Sequence, residues 1–265
     1  MTQPRPADWK NYDDFAAGIA TNRLRPTDAL VGRSLRLNLP QFTLALQFDS
    51  AGALRWQEEG SRGGSGSDGY EAIEVAADTY FIDITQASRP LEALTVIANV
   101  ASQRVLAIRC RVIDALEAGG EPRVPQDFWV GALGDDPGRA TGVAPHESRD
   151  LIGLRTWQTY SPNHTYEHTY LNAKRYAWQC LVGVQRGHGA VDLASYYKFD
   201  EQQYVFAFRE FLIPVASVFF FNFATGRSTG KFLGVTGSGA IANNPAGALM
   251  RKASMTFYLP EEAPV

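Results

Sequence analysis

The chain has 265 residues, 45% hydrophobic and 12% aromatic, enough apolar mass for one large or two ordinary buried cores. A formal net charge of −3 and an isoelectric point near 5.8 give no basic field for a phosphate backbone, so nucleic acid is not an expected partner. Neither export nor membrane spanning is expected: Met1-Thr2-Gln3-Pro4-Arg5-Pro6 has no apolar region behind it, and the longest apolar run, 215–223, is interrupted by Ser217 and Asn222.

The expected compartment is therefore the cytoplasm, where Cys110 and Cys180 would be reduced, buried thiols. Asn163-His164-Thr165 matches a glycosylation acceptor, which is silent without export.

In chain order, residues 9–19 read as a peripheral helix, and Thr27 can cap a short turn over 28–31. From Ser34 onward apolar alternation with turn punctuation predicts strands over 34–38, 42–48, 53–57, 70–75, 79–84, 94–100 and 105–113. The glycines of 64–69 spell a dinucleotide-like pattern, but a strand follows instead of a helix, so the segment reads as a mobile hairpin loop. Residues 119–145, rich in Gly, Pro and Asp around Phe128-Trp129-Val130, read as a connector draped over the first domain.

A second strand series is expected over 154–160, 165–171, 176–184, 194–199, 203–209, 217–223, 231–235 and 254–259, with a helix over 246–252 and a loop over 234–239. The expected fold class is all-β, two tandem antiparallel up-and-down barrels, because an open meander of this length would leave unpaired edges.

The two series are copies. Phe48–Gln57 recurs at Tyr170–Gln179, 122 residues on; Tyr80–Ile84 recurs at Tyr204–Phe208, 124 on; Asn99–Arg104 recurs at Asn222–Arg227, 123 on. A repeat of about 120 residues matches one independently cored domain, and the expected division is 1–145 and 146–265.

One strand differs between the copies. At the offset of 122, Phe42, Leu44, Leu46 and Phe48 become His164, Tyr166, His168 and Tyr170. The period of two places each set on one face, and the apolar set must point inward. The second barrel is thus expected to enclose imidazole and phenol groups where the first encloses hydrocarbon. Seven of eleven tyrosines and three of four histidines fall between positions 160 and 204. Buried polar tips of this kind need partners, which points to a wet or liganded cavity, with a self-filled core as the alternative.

Three further stretches, Tyr166-Glu167-His168-Thr169-Tyr170-Leu171 with Trp178-Gln179-Cys180-Leu181, Tyr196-Tyr197-Lys198-Phe199, and Phe208-Arg209-Glu210 with Pro214 and Gly230-Lys231, resemble the C-terminal domain of the MoaF family. Residues 27–33 and 70–75 resemble its N-terminal domain. The resemblance implies tandem calycin, or lipocalin-like, barrels. The family name refers to molybdenum cofactor biosynthesis, yet the sequence carries no device for a pterin phosphate, a nucleotide or a metal.

No metal is expected: His164 and His168 lie about 13 Å apart on an extended strand, too far for one zinc ion. No Gly-x-Ser-x-Gly elbow is present for a hydrolase nucleophile. Acid–base chemistry without a cofactor remains. His titrates near neutrality and Tyr can hold an enolate oxygen, which fits isomerisation, cyclisation, addition to a double bond or decarboxylation of a small hydrophobic, aromatic or polyketide-like molecule.

The expected site comprises His164 or His168 as acid/base, Tyr166 as donor, and Glu210 as an orienting or proton-sharing carboxyl. Tyr170, Trp178, Tyr197, Tyr204, Phe206 and Phe221 are the expected substrate-binding residues. A non-catalytic lipocalin-type binding protein and a structural or assembly protein are the alternatives. A homo-oligomer is left open.

Overall fold

The computed structural model describes residues 6–60 and 62–265; residues 1–5, on which the reading of the leader partly rests, lie outside the described residues. The chain is all-β, with two closed eight-stranded antiparallel barrels in tandem and, among the described residues, two short α-helices, α1 (Tyr12–Ala16) and α2 (Ala115–Ala118).

The first barrel runs β1 (Ser34–Leu39), β2 (Phe42–Ser50), β3 (Ala53–Gly60), β4 (Gly64–Ala76), β5 (Thr79–Thr85), β6 (Glu92–Asn99), β7 (Arg104–Arg111) and β8 (Gln126–Leu133). Each strand pairs with the next, and Leu37 opposite Leu133 closes the ring.

After the two-residue β9 (His146–Glu147), the second barrel runs β10 (Leu154–Ser161), β11 (His164–Asn172), β12 (Arg175–Val182), β13 (Gly189–Asp200), β14 (Gln203–Arg209), β15 (Val215–Asn222), β16 (Arg227–Val235) and β17 (Ile241–Met255). Pairing of β10 with β17 completes it. The duplicated segments fall on equivalent strands: β2 matches β11, β3 matches β12, and β5 matches β14.

Alternation places the core. On β2, Phe42, Leu44, Leu46 and Phe48 are buried between half-buried neighbours, and they join Leu30, Leu37, Leu54, Ile82, Ile84, Val96 and Val105 in the first core. Each such side chain contributes about 1.5–3 kcal/mol on burial. Cys110 and Cys180 are buried and unbridged. No helix among the described residues is long and apolar enough to cross a membrane.

Four expectations of local structure change. Residues 64–69 belong to strand β4 rather than to a loop, and Gly66 lies opposite Trp56. A Cβ at Gly66 would sit 2.9 Å from Trp56 Nε1, so the glycine makes room for the indole. The Phe128-Trp129-Val130 island is part of β8 and closes the first barrel. Residues 246–252 lie in β17: the helix-favouring Ala, Leu and Met there pair with β16 and β10 on both sides, and tertiary pairing overrides propensity.

The fourth change concerns residues 9–19. Only Tyr12–Ala16 is helical, and the segment is not peripheral: Trp9, Tyr12, Phe15 and Ile19 are buried in the second core. The chain accordingly divides into one unit of Leu24–Arg111 and Gln126–His146, and another comprising the residues up to Arg23, Val112–Pro125 and Glu147–Val265.

Candidate functional site

Strand β11 lies between β10 and β12, and its period of two turns His164, Tyr166, His168 and Tyr170 into the second barrel, with exposures of 7%, 8%, 4% and 0%. Most of that interior is filled by rings. His168 stands 5.3 Å from Tyr176 and 5.8 Å from Phe206 between ring centroids. Tyr170 packs on Phe206 at 5.2 Å, and Phe206 on Phe221 at 5.3 Å.

One small cavity remains beside this stack. Tyr160, Tyr166, His168, Tyr176, Trp178, Gln185, Phe208, Glu210 and Phe232 line it, together with Phe15 and Ile19 from the N-terminal segment. About 30 Å³ is open to the centres of water-sized spheres, room for about two water molecules.

The polar groups in this cavity fall into two kinds. Tyr166 is satisfied, its hydroxyl donating to Gln185 Oε1 at 2.7 Å. His168 Nδ1 is buried without a partner among the described residues, and burial and nearby charge, not a hydrogen bond, act on the Glu210 carboxyl and the Tyr160 and Tyr176 hydroxyls. Each sits within a residue at least nine-tenths buried.

Burial sets the protonation states. It holds the Glu210 carboxyl well above the usual carboxylate range, and the nearby negative charge of Asp192 adds to the effect. It pushes the His168 imidazole down to about 3 and the Tyr176 hydroxyl well up, with Asp192 and Glu210 contributing. A buried acid and a neutral imidazole therefore face one cavity, because separated charge is costly there.

Behind the cavity Asp192 acts as a clamp. Its Oδ2 accepts from Trp178 Nε1–H at 2.8 Å and its Oδ1 from the Phe211 N–H at 3.0 Å. Burial raises its pKa against these donors. The first barrel repeats the device: Asp68 accepts from Trp56 Nε1–H at 2.7 Å and from the Ala87 N–H at 2.9 Å.

Of the residues expected at the site, Tyr166, His168, Trp178 and Glu210 line the cavity. The other six are elsewhere. His164 is bound by Ser161, whose Oγ is 3.1 Å from its Nδ1, and the chain at Gly18 passes close over the same nitrogen. Tyr170 is committed to Thr156 at 3.1 Å, and Phe206 and Phe221 are packed in the ring stack. Tyr204 donates to Asp150 at 2.9 Å. Tyr197 falls on the opposite face of β13 from the inward Tyr196 and is half-buried.

Tyr160, Tyr176, Gln185, Phe15 and Ile19 are cavity residues that sequence reasoning did not single out as a group. The repeat could have found Tyr176, which takes the place of Leu54 at the same offset of 122. Among the described residues no group of three or more His, Cys, Asp or Glu side chains is arranged to hold a metal ion.

The comparisons with known proteins agree with this architecture. Residues 7–114 match the MoaF N-terminal domain and residues 145–256 the MoaF C-terminal domain. Protein MoaF of Klebsiella aerogenes is 33% identical over 201 residues, covering 71% of this chain and 75% of that protein.

Among solved structures, a chain from Burkholderia vietnamiensis aligns at a TM-score of 0.35 and 15% identity, over 41% of this chain and all of the other. A DNA polymerase III beta chain from Streptococcus pneumoniae aligns at 0.16 and 6% identity, over 93% and 84%. Neither likeness bears on function at these scores. With both domain matches in chain order and a relative of this identity, the chain belongs to the MoaF family.

Proposed function

We propose that the second barrel binds a small uncharged organic molecule and moves a proton on it without a cofactor, as an isomerase or lyase. The observation that carries the reading is that Glu210 and His168, both deeply buried, border the same cavity. Neither the carboxyl nor the imidazole is tied up by another described side chain.

A 1,3-proton shift needs one donor and one acceptor. Neutral His168 takes a proton from the carbon beside a carbonyl, and the protonated Glu210 delivers one to the far end of the conjugated system. A proton passing from His168 back to Glu210 then restores the starting state. The Tyr176 hydroxyl can donate to the developing enolate oxygen, while Tyr166, whose proton is held by Gln185, shapes the wall beside it. Cyclisation and addition to a double bond of an uncharged substrate need the same groups.

Binding without chemistry is the second reading, favoured by the aromatic rings that make up most of the cavity's lining. The two unbridged, buried cysteines support a reducing, cytoplasmic setting. Nucleic acid, membrane and metal have no part in the reading.

The test is the isomerisation of cyclohex-3-enone to its conjugated isomer, followed by ultraviolet absorbance, alongside a panel of other small neutral enolisable ketones in D2O. Glu210→Gln and His168→Phe should each lower the rate roughly 100-fold or more. If both variants turn over every active ketone as fast as the unaltered protein, proton transfer is abandoned. Mass spectrometry of a retained ligand then decides whether binding survives.

A further inference from the structure

The corresponding ends of the two barrels are closed by different means. In the first, Glu58 on β3 and Arg109 on β7 turn inward and meet at 2.9 Å. Arg89 joins the same carboxylate at 2.6 Å, and the Arg109 guanidinium lies over Phe42 and Trp129. The barrel's own ion pairs seal it.

At the repeat offsets of 122 and 123, these two positions become Cys180 and Phe232 in the second barrel. Neither can bridge that end with charge. The N-terminal segment covers it: Phe15 packs edge-on against Phe232 at 5.7 Å, Trp9 against Trp178 at 5.8 Å, and the Tyr12 hydroxyl donates to the Phe232 carbonyl at 2.9 Å. Phe15 and Ile19 reach the cavity itself.

The segment is unequally held. Its C-terminal part is stitched to the barrel backbone, with the Gly247 N–H donating to the Ile19 carbonyl at 3.0 Å and the Asn22 N–H to the Tyr160 carbonyl at 3.0 Å. Its front is fastened by that Tyr12 hydroxyl and by two exposed carboxylates. Asp8 lies 3.1 Å from His188 Nε2, and Asp13 accepts from the Gly237 N–H at 2.7 Å. Between front and anchor stands Gly18, at a φ of +88°, a left-handed conformation that glycine adopts freely. Five residues of helix do not support themselves without packing.

Resting on the reading of the cavity as a small-molecule site, we propose that residues 8–17 are a plug hinged at Gly18, with Phe15 occupying the place of an uncharged aromatic ring of the ligand. The ligand class follows from the surroundings. Phe208, Phe232, Tyr160 and Tyr166 bound the space beside Phe15, and among the described residues neither Lys nor Arg lines it. A carboxylate or phosphate would be buried there without a counter-charge. Ligand uptake therefore requires the plug to swing out, and its tethers set how often the site is open.

The test uses the full chain and phenol as the probe, with benzoate as its charged counterpart. Binding is read by calorimetry, and opening by amide hydrogen exchange at Gly237, which reports the front, and Gly247, which reports the anchor. Phenol should speed exchange at Gly237 while leaving Gly247 protected. The Asp8→Ala/Asp13→Ala variant, altered only at exposed side chains, should bind phenol about tenfold tighter, because more of its population is open.

Binding of phenol with Gly237 still protected, and with equal affinity in both proteins, overturns the plug while leaving the site intact. Benzoate binding as tightly as phenol overturns the uncharged class. If neither protein takes up phenol while the Asp14 N–H, bonded to the Asn11 carbonyl within the plug, exchanges freely in the variant, the opened space suits no neutral ring, and plug and site fall together.

Discussion

The two barrels share a frame and differ in contents. Both have eight antiparallel strands, and both lock a tryptophan to an aspartate that also receives a backbone N–H, Trp56 with Asp68 and Trp178 with Asp192. Inside that frame Leu44, Leu46 and Leu54 of the first become Tyr166, His168 and Tyr176 of the second, and Gln86 becomes Glu210. A barrel's hydrogen-bonded wall is therefore separable from its filling. The wall is satisfied by backbone pairing, so its inward side chains can be exchanged for titratable ones wherever a cavity or a partner receives them.

Exchanging residues between the barrels tests this separation. The largest effect is expected for Leu46→His, which puts an imidazole among the leucines, phenylalanines and valines of the first core. Without a partner there it should cost about 3 kcal/mol or more, read as a lower midpoint in urea. A loss below about 1 kcal/mol would mean that the first interior is wetter than its side chains imply.

The reverse exchanges separate by pH. His168 titrates at about 3 in the folded chain against an ordinary 6.5, so between those values the unfolded state binds the extra proton. Native stability is then lost as pH falls through that window. His168→Leu should gain on the unaltered protein by up to about 1.4 kcal/mol per pH unit on descending from 6.5.

Glu210 has the opposite sign. Its folded pKa is raised, so the folded state keeps a proton that the unfolded state sheds above about 4.5. Glu210→Gln, which copies Gln86, should gain as pH rises from there. Urea titrations at several pH values check both slopes, and parallel profiles for variants and parent would mean that neither group is buried as described.

The smallest contrast is between two tyrosines of one cavity. Tyr166→Phe strips Gln185 of its donor and should cost about 1–2 kcal/mol. Tyr176→Phe removes a hydroxyl bonded to no described residue and should leave stability unchanged or slightly raised. Equal losses would show that Tyr176 has a partner of comparable strength.

The same contrast explains what could be read before the structure. The wall was legible because inward and outward residues alternate with period two, and Leu44 and Leu46 told which face of β11 points in. Trp178 and Glu210 were reached by the same periodicity. Segments whose signal is not alternation were misread. Gly66 has no side chain to alternate and instead receives Trp56. Residues 246–252 carry helix-favouring side chains that two neighbouring strands recruit. Tyr197 lost its place because its neighbour Tyr196, one step along the strand, takes the inward position. Phe15 and Ile19 could not be assigned to a site that begins about 140 residues later, since no local pattern states which core a distant segment completes.

The bond between the Ile19 carbonyl and the Gly247 N–H also orders events in time. Its acceptor is translated before its donor, which lies on β17, the last strand of the ring. At about 5–20 residues per second, roughly ten seconds to most of a minute separate the two on the ribosome. Throughout that interval Trp9, Tyr12 and Phe15 have no finished barrel to enter, so the door is made first and hung last.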